Sequence, residues 1–256
     1  MLFSGEESAI YFQTFTPSMS LREALRVIHA DHEWWQKVLI GGALMCTLFG
    51  YPLGAGLVVE SLDNTRKGFP TPLPPWADWS TRYIIGLFAF LIDFFYFALP
   101  FFVAGVLFFC VGFAVVLTRT EQTFMVITEF GGLFLLITIL AMFFVSAAPV
   151  GRLMFIQDST PENAMSIKSL QEALRTKARG VYLRARLISL PAYLPVVLFS
   201  ALLVLIIPSG LPFTWLIGLL LYWLTMSSLL YAHLIVIQIY AGAEQELLQR
   251  GLERPL

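Results

Sequence analysis

The stretch LISLPAYLPVVLFSALLVLIIPSGLPFTWLIGLLLYWLTMSSLLYAHLIVIQIYAGA, residues 187–243, runs for 57 positions without Asp, Glu, Lys or Arg. A helix of roughly 20 apolar residues crosses a bilayer core of about 30 Å. The run therefore holds a span at about 187–207 and a final helix from about 213 to 240, divided at Pro208-Ser209-Gly210-Leu211-Pro212. Prolines and glycine interrupt a helix there. Val38–Val59 and Phe130–Gly151 add two charge-free runs of 22 residues each. Charged residues make up 13% of the 256-residue chain, half of the roughly 25% usual in soluble domains. The chain reads as an all-α integral membrane protein.

Upstream, a short phrase occurs twice: Ser-Leu-Arg-Glu-Ala-Leu-Arg at 20–26 and Ser-Leu-Gln-Glu-Ala-Leu-Arg at 169–175. Each copy places Glu three residues after Ser, the signature of a capped helix start. The phrase implies two related modules in one membrane domain. Module one covers 20–117, a connecting span 124–149, a cytoplasmic segment 152–186, and module two 169–243. Each module is expected to be an interfacial amphipathic helix followed by membrane helices. About four full spans result, plus a broken, re-entrant helical hairpin at 38–59.

The first amphipathic helix is expected over 20–37, with Trp34 and Trp35 as interfacial anchors. The apolar run that follows is broken at Gly50-Tyr51-Pro52-Leu53-Gly54-Ala55-Gly56, where Pro52 removes a donor and the glycines weaken the helix. Gly50-x-x-x-Gly54 suits either close helix approach or a sharp turn. The stretch 83–98 reads as interfacial or half-inserted, followed by a span at about 100–117 and a turn at 118–123. Glu244–Leu256 reads as a polar tail. No cleaved export signal is expected, because Met1–Ser20 lacks basic residues and an apolar core.

Topology follows from charge. Segment 152–186 carries Arg152, Lys168, Arg175, Lys177, Arg179, Arg184 and Arg186, seven of the sixteen basic residues. Basic residues concentrate on the cytoplasmic face. If 38–59 enters and returns, fifteen basic residues lie inside and only Arg119 outside. Both termini are then cytoplasmic, in a prokaryotic inner membrane or another energy-transducing membrane.

The loop Gly68-Phe69-Pro70-Thr71-Pro72-Leu73-Pro74-Pro75-Trp76-Ala77-Asp78-Trp79 is expected to be ordered at the interface, on Pro70, Pro74, Trp76, Asp78 and Trp79. With Gly50–Gly56 before it, the chain resembles a family of uncharacterised prokaryotic membrane proteins, domain of unknown function 4013. That family combines a Ser-Leu-Arg-Glu-Ala-Leu-like opening, a glycine-rich first membrane segment and a Gly…Leu-Pro…Asp-Trp loop. Its aromatic-rich closing helix is matched loosely by Tyr231–Glu246. The resemblance covers most of 20–246 and implies a fold without an activity.

Three ionisable residues fall in apolar surroundings, where burying a charge is costly and marks a site for attention. Asp93 either serves a site or, in an interfacial helix, faces headgroups or pairs with Arg82 or Lys67. Glu129 stands near a helix start, where the dipole favours a negative charge. His233 either packs and hydrogen-bonds between helices or ligates a haem or chlorophyll metal. No cofactor is expected, because no second ligand accompanies His233. His29 and His32 share one face of the first helix and suit an interfacial role. Cys46 and Cys110 are expected to be buried thiols. No metal cluster, Walker loop, zinc-protease motif or nucleophile elbow occurs, so no catalytic residue is assigned.

The expected role is a non-enzymatic accessory or scaffold subunit among other membrane chains. The alternative is a small-molecule or lipid transporter built from two repeats, with the broken helix lining its site. Membrane lipids and other subunits are the expected partners. A net charge of −1 gives no sign of nucleic acid.

Overall fold

The computed structural model describes residues 20–69, 71–98, 147–158, 161–168, 171, 174–207 and 213–250, with scattered positions between 102 and 143. Every regular element among them is helical. The expected spans at 100–117 and 124–149 fall largely outside these residues, as do the turn at 118–123, Glu129, Pro70 and Ser169.

Helix α1 (Leu21–His29) starts on the expected capping box. The Ser20 hydroxyl accepts from the Glu23 N–H at 3.3 Å, and the Glu23 carboxylate takes the Ser20 N–H at 2.7 Å. The helix does not run to residue 37. It ends at Ala30, and Trp34 and Trp35 begin α2 (Trp34–Met45). Asp31 makes this corner by accepting from the Glu33 N–H at 2.8 Å and from Lys37 Nζ at 2.6 Å. A short acceptor side chain thus outcompetes helical hydrogen bonding.

Helices α2 and α3 (Tyr51–Arg66) form a hairpin, but its break lies at Cys46–Gly50 rather than within Gly50–Gly56. Pro52 sits in the first turn of α3, where its missing donor is harmless. Gly54 and Gly56 lie inside that helix. The Thr47 hydroxyl closes the turn, donating to the Leu44 carbonyl and accepting from the Gly50 N–H, both at 3.0 Å. Leu48 and Phe49 at the tip are exposed, at 75% and 79%.

Helix α4 (Trp79–Asp93) returns antiparallel against α3 and starts four residues before the expected Tyr83. The approach is closest at Gly86, where a Cβ would lie 1.7 Å from the Pro52 carbonyl oxygen. Only hydrogen fits there. Ala89 and Ile92 are fully buried, so α4 is packed into the bundle. The loop before it is ordered around Arg82, which donates to Glu60 and to the Pro75 carbonyl, both at 2.7 Å, and lies 5.0 Å over the Trp76 ring. Trp76 stacks on Trp79 at 5.4 Å, Pro74 is buried, and Asp78 takes a left-handed turn (φ 49°) into α4. After Asp93 the helix widens into one π turn, Phe94–Ala98.

Helix α5 (Ala147–Asp158) and the short α6 (Pro161–Met165) cover α4. Phe155 packs on Phe88 at 5.8 Å, and the Tyr96 hydroxyl donates to the Ala164 carbonyl at 2.6 Å. The second copy of the repeated phrase ends differently from the first. Arg175 is extended (φ −51°, ψ 155°) and precedes α7 (Thr176–Ser189), whereas Arg26 lies within α1.

The spine is α9 (Thr214–Gln249), 36 residues, or about 54 Å at 1.5 Å per residue. Helix α2 runs antiparallel to it, from Trp34 beside Tyr231 to Leu39, whose carbonyl accepts from Trp223 Nε1 at 3.0 Å. Helix α3 runs parallel. Its Thr65 meets Gln238 at 2.8 Å and its Arg66 meets Glu244 at 2.7 Å. Helix α7, a 3-10 turn at Leu190–Tyr193 and α8 (Leu194–Ile206) run antiparallel along the rest. Glu244 therefore does not open a polar tail: α9 continues to Gln249, and Glu244 and Glu246 are each 6% exposed. Two helical stretches, Ala178–Ile206 and Thr214–Gln249, are long and apolar enough to cross a membrane.

Candidate functional site

A cavity of about 400 Å³ is walled by the start of α3, by α4 and α5, by the α7–α8 junction and by the middle of α9. Its lining is mostly aliphatic and aromatic. The polar exceptions are Asp93, Arg152, Arg186, His233 and the hydroxyls of Tyr51 and Tyr193. Two residues singled out from the sequence, Asp93 and His233, thus meet in one place although 140 positions separate them.

Asp93 is the last residue of α4, and Arg152 lies midway along α5, brought alongside by the antiparallel packing of the two helices. Arg152 Nε donates to Asp93 Oδ1 at 3.0 Å, and its Nη2 donates to Oδ2. Both carboxylate oxygens are engaged by one planar guanidinium, the strongest geometry available to such a pair. The expected partners of Asp93 are occupied elsewhere: Arg82 binds Glu60, and Lys67 binds Asp63 at 2.6 Å. Neither reaches the cavity.

Arg186 comes from the end of α7. It is 1% exposed, with its guanidinium 4.2 Å over the Phe143 ring and 5.5 Å from the Tyr240 ring. Tyr193 is a hydrogen-bonding partner of this arginine. Its Nε has no hydrogen-bond acceptor. Ring faces attract a cation by about 2 kcal/mol when water is excluded, which offsets part of the burial cost. They touch the plane of the guanidinium rather than its edge, where the N–H groups point and where Tyr193 supplies one hydrogen bond. Counting the described lining residues, two guanidinium groups face one carboxylate, leaving one positive charge in excess before any contribution from His233.

His233 sits on α9 with its ring edge-on to Tyr193 at 6.5 Å. Among the described residues no group of three His, Cys, Asp or Glu stands close enough to hold a metal ion. His29 lies apart from this site, with its Nε2 2.8 Å from the Tyr231 hydroxyl, and His32 is exposed. The cysteines are not the buried thiols expected: Cys46 is half-buried and Cys110 is exposed. Gly54 faces Met45 across the hairpin and Gly50 belongs to its turn, which assigns the two glycines one role each.

A second cavity of about 430 Å³ lies between α3, α4 and α5, beside Glu60, Asp63 and Lys67. All three are committed to ion pairs, so it presents no unpaired charge of its own among them.

Sequence reasoning missed Arg152 and Arg186 because both were assigned to the cytoplasmic charge cluster. A signal was present. Arg184 and Arg186 are two apart on a helix, about 200° around its axis, so both cannot face water equally well. Arg184 is exposed and Arg186 buried.

A family profile described as Protein of unknown function (DUF4013) matches residues 39–207. No curated protein and no solved structure matches the chain.

Proposed function

Since the chain belongs to the DUF4013 family, whose description carries no activity, we propose a function from its own cavity. The protein is a non-enzymatic, multi-pass membrane protein that receives an amphiphile from the bilayer. The observation that carries this reading is the join between cavity wall and exposed apolar surface. Phe94 lines the cavity and is 51% exposed, in register with the outward-facing Leu87 and Leu91 on α4. A ligand arriving along that face meets hydrocarbon-like side chains before it meets charge.

Depth supports the same reading. His233 lies 19 residues beyond Thr214, about 29 Å along α9. With Trp215, 70% exposed, as the anchor at the far interface, the polar end of the cavity comes to headgroup level on the opposite face. Tyr222, whose hydroxyl donates to the Cys46 carbonyl, lies only about 12 Å along. The α2–α3 hairpin then turns inside the bilayer with Leu48 and Phe49 in lipid, a re-entrant excursion. Helix α1, at the level of Tyr231, lies along the same interface as the cavity. Four full spans, cytoplasmic termini and a prokaryotic inner membrane complete this topology. His233 is a wall residue here rather than a haem or chlorophyll ligand.

Native mass spectrometry from a mild neutral detergent tests the reading, with Ala148→Phe placed to fill the cavity. Wild-type protein should carry an amphiphile that the variant lacks, with helical content unchanged. Wild-type protein that is empty from several detergents would overturn it.

One observation favours a second role, as an accessory subunit. Helix α8 has no buried residue, and Leu194, Val197 and Leu198 are each more than half exposed at 67%, 63% and 57%. Either lipid or the helices of other membrane subunits meet that face. Blue-native electrophoresis after mild extraction separates the two: a larger assembly supports the subunit role, and a lone monomer removes it.

A further inference from the structure

We propose that Arg186 is the residue that recognises the ligand of this cavity, and that it does so by binding a single oxyanionic group, carboxylate or phosphate, at the end of an apolar chain. The inference rests on the amphiphile reading above and deepens it. The comparison among the buried and partly buried arginines carries it. Arg66 binds Glu244, Arg82 binds Glu60 and Arg152 binds Asp93, each through its own carboxylate. Arg186 is as deeply buried as any of them, at 1%, yet has no carboxylate among the described residues. An isolated buried cation is costly unless something pairs with it. Here the fold supplies aromatic faces and one tyrosine, and places the side chain in the wall of a cavity.

The one carboxylate among the described lining residues is already engaged. Asp93 lines the same cavity but both of its oxygens are taken by Arg152, so it cannot neutralise Arg186 without breaking that pair. A planar fork with donors on its edge matches a carboxylate or a phosphate, which accept two parallel N–H bonds. The remaining wall, with Phe90, Leu229, Val236 and Ile237, suits a hydrocarbon chain. A neutral lipid would fill the apolar part and leave Arg186 unpaired. A dianion would exceed the one positive charge available.

The test uses the full-length protein in neutral maltoside micelles with three added probes: oleate, dioleoyl phosphatidylglycerol and the uncharged diolein. A ligand that binds the folded state raises the midpoint of thermal unfolding. One anionic probe should bind at least tenfold more tightly than diolein, since hydrogen bonds to charged groups are worth roughly ten- to hundredfold in affinity. Oleate and phosphatidylglycerol distinguish a carboxylate from a phosphodiester source. Arg186→Gln should abolish the anionic preference, bringing oleate and phosphatidylglycerol to the level of diolein. The wild-type comparison needs no variant, so a poorly folding Arg186→Gln does not protect the idea. Equal binding of charged and uncharged probes overturns the role of Arg186 and leaves amphiphile binding standing. No binding of any probe overturns both.

Discussion

The two halves of α9 share one helix and one apolar character, yet they live in different surroundings. Near its start, Trp215 and Leu219 are 70% and 60% exposed, while near its end Leu234 and Tyr240 are completely buried, at 0%. Hydrophobicity alone does not distinguish them. Leu, Ile and Trp fill the exposed half as readily as Leu and Ile fill the buried one. What marks the buried half is the residues among them: Gln238, the run Ala241-Gly242-Ala243, and Glu244. Apolar side chains gain little by leaving lipid for protein, so small residues that permit close approach and polar groups that pair across helices identify a protein-facing surface.

The largest effect expected from this contrast is at the base of the buried half. Glu244 accepts both Nη2 and Nε of Arg66, with its side chain 8% exposed. Glu244→Ala leaves that largely enclosed guanidinium, its side chain 17% exposed, without its carboxylate and should destabilise the fold by about 3–5 kcal/mol. Reversible unfolding in mixed detergent micelles measures it. A cycle with Arg66→Ala should show the double change costing less than the sum. Additive losses would mean that the two side chains do not act as a pair.

Next comes a matched truncation in the two halves. Leu234→Ala removes packing from a fully enclosed position and should cost about 2–5 kcal/mol, the range for leucine truncations that leave a cavity. Leu219→Ala, with its side chain outward, should stay within about 0.5 kcal/mol. Similar losses at both positions would show that the exposed half is covered in the working protein, which is the outcome the accessory-subunit role requires.

The same contrast explains how much of the molecule was legible beforehand. Capping at Ser20 was readable because Ser and Glu three apart act locally. The hairpin at 38–59 was readable from 22 uncharged residues carrying a proline. Its turn was misplaced by several residues, because Pro52 starts a helix as comfortably as it breaks one, and the Thr47 side chain that closes the turn gives no strong sequence signal. Asp93 and His233 stood out as ionisable groups in apolar surroundings. Arg152 and Arg186 did not, because each stands at the edge of a charged segment, where a positive side chain is expected to face water. Which of several arginines turns inward depends on helix rotation, set by distant packing partners such as Tyr240. The polar ending of α9 was misread as a tail for the same reason: Glu244 looks solvated until Arg66 is brought to it from 178 positions away.

The smallest loss expected within the buried half sharpens the comparison most. Gln238 is fully buried between α3 and α9, its Nε2 donating to Ser61 Oγ at 3.1 Å and its Oε1 accepting from Thr65 Oγ1 at 2.8 Å. It is the kind of buried polar contact that distinguishes this half of the helix, and its removal invites a prediction of severe loss. The geometry argues otherwise. The Thr65 hydroxyl also lies 2.8 Å from the Ser61 carbonyl, so its single hydrogen keeps an acceptor when the glutamine is gone. Ser61 can turn its own hydroxyl to a backbone carbonyl one turn back, as serines in helices do. Gln238→Leu fills nearly the same volume and should cost about 0.6 kcal/mol, the average for polar contacts in a membrane bundle. The same unfolding measurement reads it. A loss as large as that of Glu244→Ala would place the tie between α3 and α9 in the uncharged network and would make the ion pair beneath it secondary.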